Sequence, residues 1–270
     1  SILNCHNTGE ITMTTPGTGA CGAQIGGIAA KITKPGTVEN CTNTAAITFN
    51  TSAAAGKNSW LGGIVADIET SVVDVTNCVN TGAVTLNNTG AAEVYGGVGG
   101  VVGNYYMTGS TMTDCVNKGA VSLLGALRVN SCIGGLAGTN CNNFDNCKSL
   151  GNVTVNNAGT SLVHISAIAS RLNNSNCTWN GLEINCAVNY NEGNNNFGLL
   201  QGDTWLSSAY ATVGAITPCV VKSTTTVNGE AVTAEQLKEF SFLVGRDHKV
   251  ADGTLAESCF VIAEGGLILE

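Results

Sequence analysis

The chain has 270 residues, of which only 11% are charged, with 35 glycines, 12 cysteines and a formal net charge of −8. That balance excludes a disordered chain, which carries few β-branched residues, and a nucleic-acid binder, which needs basic patches to displace phosphate counterions. No run of about 18 apolar residues exists, so no membrane span is expected, and the absence of Lys/Arg clusters speaks against an anionic membrane surface.

Val, Ile and Thr interleaved with Gly and Asn favour strands joined by tight turns. In chain order, one motif recurs: Asn77-Cys78-Val79-Asn80-Thr81-Gly82-Ala83-Val84-Thr85 is its clearest copy. Its cysteine falls at Cys5, Cys41, Cys78, Cys115, Cys147 and Cys177, in steps of 36, 37, 37, 32 and 30 residues. A second motif has its middle residue 20 to 22 residues after each cysteine: Gly26-Gly27-Ile28, Gly62-Gly63-Ile64, Gly99-Gly100-Val101 and Gly134-Gly135-Leu136, decaying to Ser166-Ala167-Ile168 and Phe197-Gly198-Leu199. Two motifs holding mutual register predict a mainly β chain: a parallel β-helix-like solenoid of about six 30–37-residue repeats. A sandwich or prism of hairpins is the alternative within the same class. In the solenoid the cysteines stack inward as a small apolar column. The Asn two residues on is expected at a corner, where Asn tolerates left-handed backbone. The Gly four residues on is expected at a positive φ, and the Gly-Gly pair either turns the chain or lets layers approach. One protruding loop per repeat is expected between the motifs, for example at 51–59 and 87–93.

The array, over roughly residues 1–202, resembles the GLUG-motif repeats of bacterial surface proteins. Gly135-Leu136-Ala137-Gly138 fits that motif and Gly100-Val101-Val102-Gly103 nearly does, while Gly27-Ile28-Ala29-Ala30 and Gly63-Ile64-Val65-Ala66 lose the last glycine. The resemblance implies an extracellular, adhesive or spacer-like β-repeat. It implies no peptidase activity, since no His-Glu-x-x-His stands in the chain.

Residues 203–270 lack the cysteine motif and read as a small α+β C-terminal cap domain. Thr233-Ala234-Glu235-Gln236 is a capping box opening a helix, flanked by strand-like runs at 218–226 and 259–263. Cys219 and Cys259 flank that helix and are a candidate disulfide; Cys132 with Cys141, and Cys177 with Cys186, are weaker pairs. Asn40, Asn50, Asn87, Asn152, Asn173 and Asn176 head glycosylation sequons. The even cysteine count and the sequons point to a secreted or cell-surface setting. The chain opens at Ser1 without a signal-peptide pattern, as a mature or trimmed chain would.

No catalytic, cofactor-binding or metal-ligating set emerges. There is no Cys-x2-Cys, and His6, His164 and His248 are scattered. Asp67, Glu69 and Asp74 show no recurrence in register with a basic partner, so a carbohydrate-active β-helix is the lesser reading. Trp60, Tyr95, Tyr105 and Tyr106 lie near the second motif of adjacent repeats and would form a glycan platform if their faces align. The apolar tail, with Phe260, Val261, Ile262, Leu267, Ile268 and Leu269, is a candidate assembly strand for covering the first coil of a next copy. The reading is thus a non-enzymatic extracellular structural or adhesive protein, self-associating head-to-tail or binding surface proteins or glycans.

Overall fold

The computed structural model describes residues 1–15, 22–52, 58–140, 142–172, 177–204, 213–245, 260–262 and 266–270. The chain winds as a β-solenoid in which nearly every strand pairs in parallel with its equivalent in the next coil. Five ladders run along the stack. The first holds Ile2–Leu3, Gly36–Glu39, Val73–Thr76, Thr111–Thr113, Asn143–Asp145 and the start of Trp179–Ile184; the second holds His6–Asn7, Thr42–Asn43, Val79–Asn80, Val116–Asn117, Lys148–Ser149 and the end of Trp179–Ile184. The third holds Ile11–Thr15, Ile47–Thr51, Val84–Asn88, Val121–Gly125, Val153–Asn157, Ala187–Tyr190 and Thr226–Val227. The fourth and fifth are six-stranded, one strand per coil, from Gln24–Gly26 to Asn195–Phe197 and from Ala29–Lys31 to Gln201–Thr204. Each step between coils is one strand spacing, about 4.8 Å.

Register turns the repeat into columns. Val38, Val75, Met112, Phe144 and Trp179 are stacked Cα partners in the first ladder, and the last two rings lie 5.3 Å apart. Ile47, Val84, Val121, Val153 and Val188 form the matching column in the third. All ten are at most 1% exposed, and each such side chain contributes roughly 1.5–3 kcal/mol of burial.

The corner between the first two ladders explains the Asn-Cys pair. Asn4, Asn40, Asn77, Asp114 and Asn146 all have φ between 49° and 55°, and Gly181 takes the same corner at 65°. Asn and Asp enter this left-handed region more readily than other side chains. The left-handed residue therefore precedes the cysteine; it is not the Asn two positions after it, as the motif led one to expect. Nor do Gly82 and Gly119 use positive φ. A Cβ at Gly82 would meet the Ala45 oxygen at 1.9 Å and one at Gly119 the Gly82 oxygen at 1.9 Å, so these glycines permit close layers.

The Asn at that second position is instead in a strand, half-buried at Asn7 and fully buried at Asn43, Asn80 and Asn117. Asn7 donates from Nδ2 to Oδ1 of Asn43 at 2.7 Å, Asn43 to Asn80 at 2.8 Å and Asn80 to Asn117 at 2.9 Å. Each Nδ2 also donates to the carbonyl two residues on, as from Asn80 to Gly82 at 2.9 Å. The amides form one continuous line beside the cysteines.

Each corner cysteine donates its weak S–H to the carbonyl two residues back, as Cys78 does to Thr76 at 3.3 Å. Cys5, Cys41, Cys78, Cys115, Cys147, Cys177, Cys186 and Cys219 are free thiols, and all but Cys5 are buried. Alkylation followed by peptide mapping is expected to modify Cys5 in the native protein and to leave Cys41, Cys78, Cys115 and Cys147 unmodified until denaturant is added.

Two register corrections follow from the pairing. Lys148 faces Glu183 and Ser149 faces Ile184, so Leu182, not Cys177, occupies the sixth cysteine position. Ile165 faces Phe197, so the sixth copy of the second motif is Gly198-Leu199-Leu200, one residue later than its sequence match. Cys219 pairs with Leu182 and with Leu267, and so is the cysteine-ladder residue of a further coil. Buried between leucines, its thiol carries no disulfide. The expected bridge to Cys259 is therefore not formed, and Cys259 itself lies outside the described residues. Cys177 and Cys186 are not bridged either; Cys141 is outside the described set.

Beyond Gln201–Thr204, Val213–Val221 adds in parallel to Trp179–Ile184, and Phe260–Ile262 and Leu267–Leu269 add in turn to Val213–Val221. The candidate assembly strands thus stack on their own chain. The capping box is formed: Thr233 N donates to Gln236 Oε1 at 2.9 Å and Gln236 N to Thr233 Oγ1 at 3.2 Å. The helix it opens is only the 3-10 turn Gln236–Lys238, because Glu239 is extended, followed by Phe240–Leu243. That break lets the carbonyls of Phe242 and Leu243 accept Leu199 N and Leu200 N at 2.8 and 3.0 Å. The segment so covers the last Gly-apolar turn.

Candidate functional site

The fourth and fifth ladders come into backbone contact. A Cβ at Gly103 would meet the Leu61 oxygen at 2.6 Å, and one at Gly138 would meet Val98 N at 2.8 Å. That is the structural need behind the final glycine of Gly100-Val101-Val102-Gly103 and Gly135-Leu136-Ala137-Gly138. Beside this contact two rows of side chains run along the stack. One consists of Gln24, Trp60, Gly97, Cys132, His164 and Asn196. The other is Lys31, Asp67, Asn104, Thr139 and Arg171.

The second row is polar at every step and mostly buried. Asp67 is 0% exposed. It accepts Lys31 Nζ at 2.8 Å, Gln24 Nε2 at 2.8 Å and Asn104 Nδ2 at 2.9 Å, and Thr139 Oγ1 donates to Asn104 Oδ1. The hydrogen bond to Asp67 raises the Lys31 pKa, with Glu69 adding a smaller effect at 3.4 Å. Asp67 does, therefore, stand in register with a basic partner, contrary to the sequence expectation. The period-matched offset, three residues after the apolar position of each second motif, was the signal that would have found this row.

In the first row, the Trp60 ring fills the space that Gly97 leaves open, where a Cβ would meet Trp60 Cζ3 at 2.0 Å. Trp60 meets Tyr95 edge-on with centroids 5.3 Å apart. Burial first, then Cys132, pushes the Tyr95 phenol far above its usual range, so it is a neutral hydroxyl. Arg171, 4% exposed, donates from Nη1 to Tyr95 OH at 3.5 Å.

The rows enclose a cleft of about 210 Å³ lined by Asn58, Trp60, Glu69, Tyr95, Asn104, Tyr106, Thr139 and Arg171. Three of the four aromatics expected near one another are brought together here. Tyr105 is not: it is fully buried and its hydroxyl donates to the Val73 carbonyl at 2.8 Å. A second hollow, of about 200 Å³, lies where Tyr190 and Phe197 meet Phe242 of the covering segment.

The described sequon asparagines lie elsewhere. Asn40 is at the left-handed corner, Asn87 Nδ2 donates to Asn50 Oδ1 at 3.2 Å, and Asn152 Oδ1 accepts Ala187 N at 3.0 Å. Asn173 and Asn176 are outside the described residues. Among the described residues, no three His, Cys, Asp or Glu side chains are grouped as metal ligands, and no helix is long and apolar enough to cross a membrane.

No family model matches this chain, and no curated protein or solved structure matches it.

Proposed function

We propose that the chain is a non-enzymatic, extracellular structural and adhesive repeat protein whose stacked coils present a saccharide-binding cleft. The observation that carries this reading is the make-up of the cleft: Trp60, Tyr95 and Tyr106 beside the amides Asn58 and Asn104 and the hydroxyl of Thr139. Sugar rings offer apolar C–H faces to aromatic surfaces and hydroxyl edges to amides, and a concave site with a few placed polar groups is the usual form of a small-ligand site. Trp60, Asn104 and Thr139 stand on strands of three successive coils, with Asn58, Tyr95 and Tyr106 next to strand ends. Burial shields the free thiols from oxidation and so makes them compatible with an extracellular setting, which the resemblance to GLUG-motif repeats supports.

A hydrolytic or eliminative role finds less support. Asp67 is saturated by three donors and has no access to solvent, which leaves Glu69 without a second carboxylate of the kind glycoside cleavage uses.

Tyr106 is 46% exposed, so its truncation tests binding without disturbing the core. Tyr106→Ala is expected to weaken oligosaccharide binding about tenfold, a loss of about 1.4 kcal/mol, at an unchanged melting temperature. Titration calorimetry against a panel of neutral and acidic oligosaccharides measures this. Failure of the wild-type chain to bind any of them at millimolar concentration would remove the reading.

A further inference from the structure

We infer that the outer face of the third ladder is an ice-binding surface. Along this ladder Thr12, Thr48, Thr85, Ser122 and Thr154 are direct Cα partners from coil to coil. Ile47, Val84, Val121 and Val153 before them, and Phe49, Leu86, Leu123 and Val155 after them, are buried. Strand alternation therefore puts the hydroxyls on the outer face, where Thr12 is exposed and the other four are half-buried. Among the described residues, no group hydrogen-bonds to any of these hydroxyls.

A second file runs two residues further on, through Thr14, Asn50, Asn87, Leu124 and Asn156. Ala46, Ala83 and Ala120 lie two residues before the hydroxyls, so no large side chain shields them on that flank. The six strands from Ile11–Thr15 to Ala187–Tyr190 contain no Asp, Glu, Lys or Arg. The outer face of the first ladder, by contrast, carries Glu39, Asp74 and Asp145. A charge would have to give up its hydration to meet a neutral solid, and the third ladder has none to strip. The hydroxyls recur at one strand spacing, about 4.8 Å, over about 19 Å, and the two files stand about 6.6 Å apart. The prism face of ice repeats its oxygens at close to the first interval along one axis and a little over the second along the other. Threonine is stiff at its first side-chain torsion, so these hydroxyls are held in place before contact and little ordering cost remains. A polysaccharide lattice fits less well, because the outward positions of this face hold no aromatic ring for a sugar to pack on.

The test uses the full chain, with Asn50 and Asn87 verified by mass to carry no glycan. It is expected to hold ice crystals at constant size over an interval below the melting point, and to be enriched in ice grown slowly from its solution. Thr85→Lys, in the middle of the file, is expected to lose both effects at an unchanged thermal unfolding midpoint. Thr76→Lys, on the outer face of the first ladder, and Tyr106→Ala, in the cleft, are expected to keep both, which separates this surface from the saccharide site. Absence of both effects in the wild type overturns the inference, as does their survival in Thr85→Lys or their loss in Thr76→Lys. Binding to crystalline cellulose or chitin that Thr85→Lys abolishes, without any effect on ice, would also overturn it and reassign the face to a polysaccharide lattice.

Discussion

Replacing Asn80 by alanine is expected to destabilise the protein by about 4 kcal/mol, read as a lowered denaturant midpoint. Asn80 sits mid-way in the line of amides, fully buried. It accepts from Asn43, and it donates to both Asn117 Oδ1 and the Gly82 carbonyl. Truncation therefore removes three hydrogen bonds and leaves one N–H of Asn43 and one carbonyl of Gly82 without their partner in a dry interior. Each such orphan costs about 1–3 kcal/mol, and the space vacated by the amide adds a cavity penalty. Asn80→Asp keeps the volume but not the donor: its carboxylate would face Asn117 Oδ1 and the Gly82 carbonyl, both acceptors, so it is expected to be at least as harmful. Asn87 supplies the control. It lies on the outer face of the third ladder with one bond, to Asn50, and Asn87→Ala is expected to cost under about 0.5 kcal/mol. Equal midpoints for Asn80→Ala and Asn87→Ala would show that the line of amides carries no special share of the stability.

The two asparagines of the motif also show what a linear sequence conveys. Period and motif register were plain, because every coil repeats one environment per ladder position. That made the solenoid, the inward cysteines and the loop near 87–93 legible. Which asparagine bends the chain was not legible, since Asn77 and Asn80 differ only in being one step before and two steps after Cys78. Left-handed backbone and buried amide pairing are both common uses of Asn, and only coordinates separate them. The sixth copy misled for a different reason. Asn176-Cys177 imitates the motif, yet the register is decided by packing: Trp179 stacks on Phe144, which carries Leu182 into the cysteine column. Cys219 was hidden by the opposite effect, being preceded by Pro218 rather than Asn, although the ladder continues through it. In the cleft, the aromatics were visible as residue types. The polar row Lys31, Asp67, Asn104, Thr139 and Arg171 was not, because its members share position and polarity but no residue identity.

His164 gives the clearest expected pH dependence. It is 1% exposed, with Nε2 placed 3.3 Å from Asn130 Oδ1 and Nδ1 placed 3.4 Å from Asn196 Nδ2. That arrangement satisfies a neutral ring carrying its proton on Nε2, the tautomer being assigned from the bonds around it. A second proton on Nδ1 would point at a donor. Burial, with the charge of Arg171 adding to it, lowers the pKa of His164 to about 3, against about 6.5 in an unfolded chain. Below pH 6.5 the unfolded chain binds a proton that the folded chain refuses, so the contribution is complete above that pH and is lost as pH falls toward 3. The slope is at most about 1.4 kcal/mol per unit, which gives a loss of about 3 kcal/mol between pH 6.5 and 4. Carboxylates titrate in the same window, so the expected result is a difference between two curves. His164→Asn places in this row the residue type that the next coil already carries at Asn196. Denaturant midpoints measured from pH 7 to pH 4 are expected to fall more steeply for the wild type than for this variant, the gap narrowing by about 3 kcal/mol. Parallel curves would mean that the imidazole takes up its proton in the folded chain as readily as in the unfolded one.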